Sequence, residues 1–190
     1  MIWLLSTVAV IFVVLMFRPK KRKMPSMRFD EQKARARQFP ADQQRQLAEE
    51  CRQNVLWGYD ERYQQVKSLN RTDDVAHQTA LLAAAQLVLA NLDHKNPEHT
   101  KALQMETAPF ANVDHALGKS ALAEYLVWKF FPNLANVEVV QEAVSSFLSK
   151  LEKDEHAHDR LLPTLVFSNE YDWQQFALNK ISSRLGSSNA

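Results

Sequence analysis

Residues 72–92 read TDDVAHQTALLAAAQLVLANL, and the stretch from Ala80 to Ala90 is apolar at every position except Gln86. Thr72 stands where a helix N-cap belongs. Asp73 and Asp74 put negative charge into the first turn, where the helix dipole favours it. A membrane span and a helix buried in a protein core compete for this pattern. Even with Gln86 and Asn91 forgiven, the apolar stretch from Ala80 to Leu92 covers 13 residues, against about 20 for a bilayer-crossing helix. From Ala80 to Ala90 alanine is the commonest residue, which lowers affinity for lipid and lets neighbouring helices approach closely. The stretch therefore reads as a central core helix, and the fold class follows as all-α.

The flanking sequence repeats this period. Phe39-Pro40 opens a long helix with proline at a first-turn position, and its apolar stripe is Leu47, Cys51, Val55, Tyr59, Tyr63 and Val66. Gly58 in its middle marks a close helix crossing or a kink. Asn96-Pro97-Glu98 starts a short helix that should end before Pro109. Asn112, with Asp114 behind it, is placed to cap a helix with Val113, Leu117, Ala121, Tyr125 and Trp128 on one face and Leu122, Leu126 and Phe130 beside them. So wide a stripe predicts cover from two directions. Phe131-Pro132-Asn133 ends that helix, and Asn136 caps the next, where Val137, Val140, Val144, Phe147 and Leu151 repeat at helical spacing. Leu161 to Phe167 is apolar around Pro163. Ser168 is then placed to cap a last helix with Trp173, Phe176, Ala177, Ile181 and Leu185 on its stripe, and Gly186 and residues 187–190 read as a stop and a loose tail. The expectation is a globular bundle of about six helices over 40–186, with no strand pattern and no internal repeat.

Ahead of this body the chemistry changes. Ile2 to Phe17 reads IWLLSTVAVIFVVLMF, without a charge. As a helix it rises about 24 Å, and Met1 and a snorkelling Arg18 extend it towards the thickness of a hydrocarbon core. Basic residues follow the apolar run instead of preceding it, and no small-residue cleavage site appears, so the segment is expected to be an uncleaved anchor over 1–17. Pro19 and Pro25 should stop the membrane helix from running on into the body. Arg18, Lys20, Lys21, Arg22 and Lys23 place the body on the cytoplasmic side by the positive-inside rule, with the N-terminus outside, as in a single-pass protein of a bacterial inner membrane. The same five residues are the expected contact with an anionic inner leaflet, each worth about 1 kcal/mol there.

The formal net charge of +1 conceals this division. Residues 18–45 carry ten Lys or Arg against three acids, a net of +7, and residues 46–190 carry 13 against 19, a net of −6. A basic juxtamembrane arm, assigned to 18–39, thus joins an anchor to an acidic body. Such a body is not expected to coat nucleic acid, and an anchor directly before the basic cluster argues against a nuclear or DNA-binding role for it. Three glycines and a 46% hydrophobic content exclude collagen-like and low-complexity chains. A lone Cys51 excludes an internal disulfide and suits a reducing compartment.

Few residues suggest catalysis. His158-Asp159 is similar in residue type, over those two residues, to the metal-binding pair of the all-helical phosphohydrolases called HD domains. That resemblance implies a metal-dependent hydrolase as the alternative function, with further ligands drawn from His77, His94, His99, His115 and Asp172. His156 and His158 project about 200° apart on a helix, so the simpler reading of residues 153–160 is a solvated turn. Only Glu155 with His158 has the spacing of a di-iron bundle. No Gly-rich phosphate loop and no serine-hydrolase elbow occurs. Cys51, on an apolar stripe, reads as a structural thiol. Neither a catalytic residue nor a cofactor or metal ligand is therefore assigned. The expected function is a membrane-anchored adaptor, scaffold or regulatory subunit with a membrane-associated protein partner. Trp57, Trp128 and Trp173 are candidate anchors for that partner, although their positions on or beside apolar stripes favour the core.

Overall fold

Gly118, Ala121, Leu122, Ala123, Tyr125, Leu126, Val127 and Lys129 are all buried although they spread over about 240° around one helix. Only Ala116 and Ser120 on this helix are exposed, so its solvent face is a narrow strip. In the computed structural model, which describes residues 34–89, 97–153 and 172–177, this helix lies at the centre of an all-helical body. The α-helices are α1 (Ala41–Lys67), α2 (Asp73–Val88), α3 (Pro97–Ala111), α4 (His115–Phe130) and α5 (Val137–Lys153), with a 3₁₀ turn at Pro132–Leu134. Residues 34–36 and 173–177 are also helical. The central helix, α4, touches each of the other four and the 3₁₀ turn. The Ala-rich α2 is a core helix as expected, burying Ala76, His77, Ala80, Leu81, Ala84 and Ala85, but it is not the central one. Its Val75 and Leu87 are exposed. Among the described residues no helix is long and apolar enough to cross a membrane, and residues 1–33, with the apolar run and the basic cluster, lie outside them.

Local signals set most of the boundaries. Thr72 Oγ1 accepts the Val75 N–H at 3.4 Å and caps α2, and Asn136 Oδ1 accepts the Glu138 N–H at 3.2 Å at the start of α5. The turn between α1 and α2 passes through Asn70 at φ 56°, a left-handed conformation that asparagine tolerates better than most residues. Two expectations are corrected. Asp114, not Asn112, caps α4, accepting from Ala116 and Leu117 N–H at 3.0 and 3.3 Å, while Asn112 Nδ2 donates back to the Ala108 carbonyl at the end of α3. Pro109 does not end α3, which runs on to Ala111. A proline cannot bond the carbonyl four residues earlier, here that of Met105. That carbonyl instead accepts the indole N–H of Trp173 at 3.0 Å, so a tertiary bond replaces the lost helical one.

Two glycines mark helix crossings of different stiffness. A Cβ at Gly58 would fall on the Leu87 side chain, whereas one at Gly118 would fall on the backbone oxygen of Phe110 and on the His77 ring. Leu87 is 57% exposed and free to swing aside. The α3 backbone is not. Gly118→Ala is therefore expected to destabilise the protein by about 2 kcal/mol through overpacking, whereas Gly58→Ala leaves stability unchanged or raises it by up to about 1 kcal/mol through helix propensity. Urea unfolding of the two variants beside the parent checks the contrast; similar losses in both would refute the difference in stiffness.

Candidate interaction groove

On α1, Leu47, Glu50, Cys51, Asn54 and Trp57 recur at intervals of three and four residues, forming a second face beside the buried stripe of Val55, Tyr59 and Val66. With Leu87 and Val88 at the end of α2, Phe130 and Phe131 at the end of α4, and Ala36 before α1, they line an open groove of about 510 Å³. Its lining is mainly apolar, with Glu50 as the one charged residue and Asn54 as the one amide. Trp57 is 63% exposed, which corrects the expectation that it belongs to the core. Position 57 lies two residues from both Val55 and Tyr59, about 200° around the helix from each, so it cannot share their face. Trp173 is buried, and Trp128 is partly buried against Phe176 with ring centroids 4.8 Å apart. Of the three tryptophans proposed as anchors, Trp57 is the exposed one.

Cys51 is half-buried in the groove wall, and burial pushes its thiol up to about 11. It stays protonated near neutrality, in keeping with a structural thiol. Ala36, which the sequence places in the arm, is buried with Ala48, Val127 and Phe131. The chain thus joins the body at one edge of the groove.

Two polar clusters lie inside the bundle, and neither assembles a metal centre. His77 on α2 is 1% exposed. Its Nε2 lies 3.1 Å from the Phe110 carbonyl, which can only accept, so Nε2 carries the proton. Nδ1 therefore accepts the Tyr59 hydroxyl at 2.7 Å. Both ring nitrogens are occupied. Burial holds the His77 pKa below the usual histidine value and raises Tyr59 to about 12, so both groups are neutral at neutral pH. His115 stacks on His77 at 4.2 Å between ring centroids and faces Asp74 at 3.5 Å.

The second cluster was not legible as a site in the sequence. Lys129, 8% exposed, pairs with Glu106 and lies 3.1 Å from Asp172, and the Tyr125 hydroxyl donates to Glu106 at 2.7 Å. Burial, with the Glu106 charge adding to it, raises the Tyr125 hydroxyl well above its ordinary range. The one sequence hint is a lysine set among Trp128, Phe130 and Phe131. This cluster fastens residues 172–177 to α3 and α4.

These positions bear on the hydrolase alternative. His158, Asp159, His156 and His94 lie outside the described residues, and His99 falls in α3 where only its backbone is described. Of the other supplementary ligands, His77 has both nitrogens bonded within the core and Asp172 is held by Lys129. Among the described residues no three His, Cys, Asp or Glu side chains gather as a metal site. No known protein family, curated protein or solved structure matches the chain.

A buried neutral histidine makes stability depend on pH with a definite sign. The unfolded chain binds a proton near pH 6.5 that folded His77 resists, so its contribution is complete above about 6.5 and is lost as pH falls through the folded value. The urea midpoint is expected to drop between about pH 7.5 and about 5.5, where histidines charge. His77→Gln, which can still donate to Phe110, should start lower and lose less over the same range. Equal acid losses in both proteins would refute the assignment.

Proposed function

We propose that this chain is a membrane-tethered adaptor, scaffold or regulatory subunit. It is held at the cytoplasmic face of a bacterial inner membrane by residues 1–17 and meets a membrane-associated protein through the groove between α1, α2 and the end of α4. The observation that carries this reading is the exposure of Trp57 and Leu87, at 63% and 57%, on the rim of an otherwise apolar groove. Large apolar side chains left uncovered together mark interaction surfaces, and tryptophan is the residue most enriched among binding anchors.

Location and surface reinforce each other. The chain reaches the body beside the groove through Ala36, so a tether of residues 1–33 brings that end of the bundle towards the lipid. Confinement to a membrane raises the effective concentration towards other membrane-bound molecules without any new contact. The groove follows about three turns of α1, roughly 15 Å from Leu47 to Trp57, a length suited to the apolar face of an amphipathic helix. Glu50 and the −6 charge of residues 46–190 favour a cationic flank on that helix. Arg18, Lys20, Lys21, Arg22 and Lys23 are proposed to lie on anionic headgroups.

Chemical crosslinking in intact membranes, followed by mass spectrometry, is expected to recover a reproducible membrane-associated neighbour. Trp57→Asp should reduce its recovery about tenfold or more, the loss of one anchor residue, with the unfolding midpoint unchanged because the side chain is exposed. Recovery of the protein as a lone monomer, or a neighbour indifferent to Trp57→Asp, would contradict the proposal.

A further inference from the structure

The groove raises the matter of what covers it when no partner is bound. Ala36 forms part of its lining, so the covalent chain already enters it from one side. The sequence a few residues upstream is Met24-Pro25-Ser26-Met27-Arg28-Phe29, in which three of six side chains are large and apolar and Arg28 lies between two of them. The only charged residue of the lining is the acid Glu50. Counting back from residue 34, Phe29 can reach about 17 Å along an extended chain, about the length of the groove beside α1. Arg18 to Lys23, six residues that include five basic ones, precede this segment and stay available for headgroups.

The geometry points to residues 24–29 of this chain as the resting occupant of the groove, with Met24, Met27 and Phe29 against its apolar wall and Arg28 facing Glu50. A segment tied to the groove's own edge competes at the high effective concentration of a short linker. A partner helix must displace it, so the unpartnered adaptor is self-covered and its apolar surface is withheld from non-specific contacts. For its purpose this inference rests on the adaptor reading; for its geometry it does not.

Cys51 supplies the test, because the chain's single native thiol lines the groove. In the full-length protein in isolated membranes, the Met27→Cys variant is oxidised with copper phenanthroline, and the rate at which an intramolecular disulfide forms between position 27 and Cys51 is followed by peptide mass spectrometry. The same measurement is then made with Met24→Ser and Phe29→Ser added. Docking predicts rapid intramolecular closure, slowed about tenfold or more by the two serines, since mere tethering would be indifferent to them. Equal rates with and without the serines would overturn the inference, as would a disulfide formed chiefly between two copies, which would assign the groove to a second molecule. A failed crosslink here leaves the partner experiment untouched, and a missing partner leaves this one untouched.

Discussion

The carbonyl of Phe110 meets α4 at Gly118, where a side chain would collide with it, and it also accepts the Nε2 proton of His77. Three helices converge on this oxygen, one of the last-turn acceptors that α3 cannot satisfy internally. The crossing fixes α3 against α4. Further along the same pair of helices, Glu106 stands opposite Lys129 and Tyr125, and Lys129 in turn reaches Asp172. Trp173, the next residue, closes on the Met105 carbonyl. The wide burial of α4 follows from this arrangement, and so does the placement of Phe130 and Phe131 at its far end, where they form one wall of the groove.

What the sequence made legible was local. Thr72 and Asn136 cap helices because their side chains reach a backbone N–H two or three residues ahead, a relation that neighbouring residues encode. The stripe of α5 was readable for the same reason, since Val140, Val144, Phe147 and Leu151 need only a helical period to share one face. The structure departs from the local pattern where a distant residue decides the outcome. Pro109 ends a helix unless something accepts the duty of its missing N–H towards Met105, and the indole that does so lies 68 residues away in sequence. Asn112 and Asp114 are both good caps, and the choice between them turned on where α3 stops. Glu106 and Lys129 are unremarkable charges on helices until tertiary packing brings them together. The exposure of Trp57 is encoded locally, because the recurrence of Leu47, Cys51, Asn54 and Trp57 marks a second face that does not coincide with the buried stripe.

The groove changes the weight of the functional readings more than any polar cluster does. Two of the side chains that a metal-dependent hydrolase would have drawn upon, His77 and Asp172, are committed to holding helices together. The buried clusters are satisfied by their own members and therefore stabilise a particular packing instead of awaiting a ligand. The groove is the converse case. It presents apolar side chains to water at the edge where the basic arm joins the body, and its sole charge is opposite in sign to that arm. Under the proposed function, anchor, arm and groove act in sequence: the first restricts the protein to a surface, the second lies on that surface, and the third meets another molecule confined to it.

The proposed function depends on the body facing the cytoplasm from a membrane, which protease treatment of vesicles of known sidedness tests most directly. In inside-out vesicles the helical body should be digested while a small N-terminal fragment stays with the membrane through an alkaline carbonate wash, and in right-side-out vesicles the body should survive. Release of the intact chain by carbonate, or digestion of the body only from the opposite side, would contradict the account.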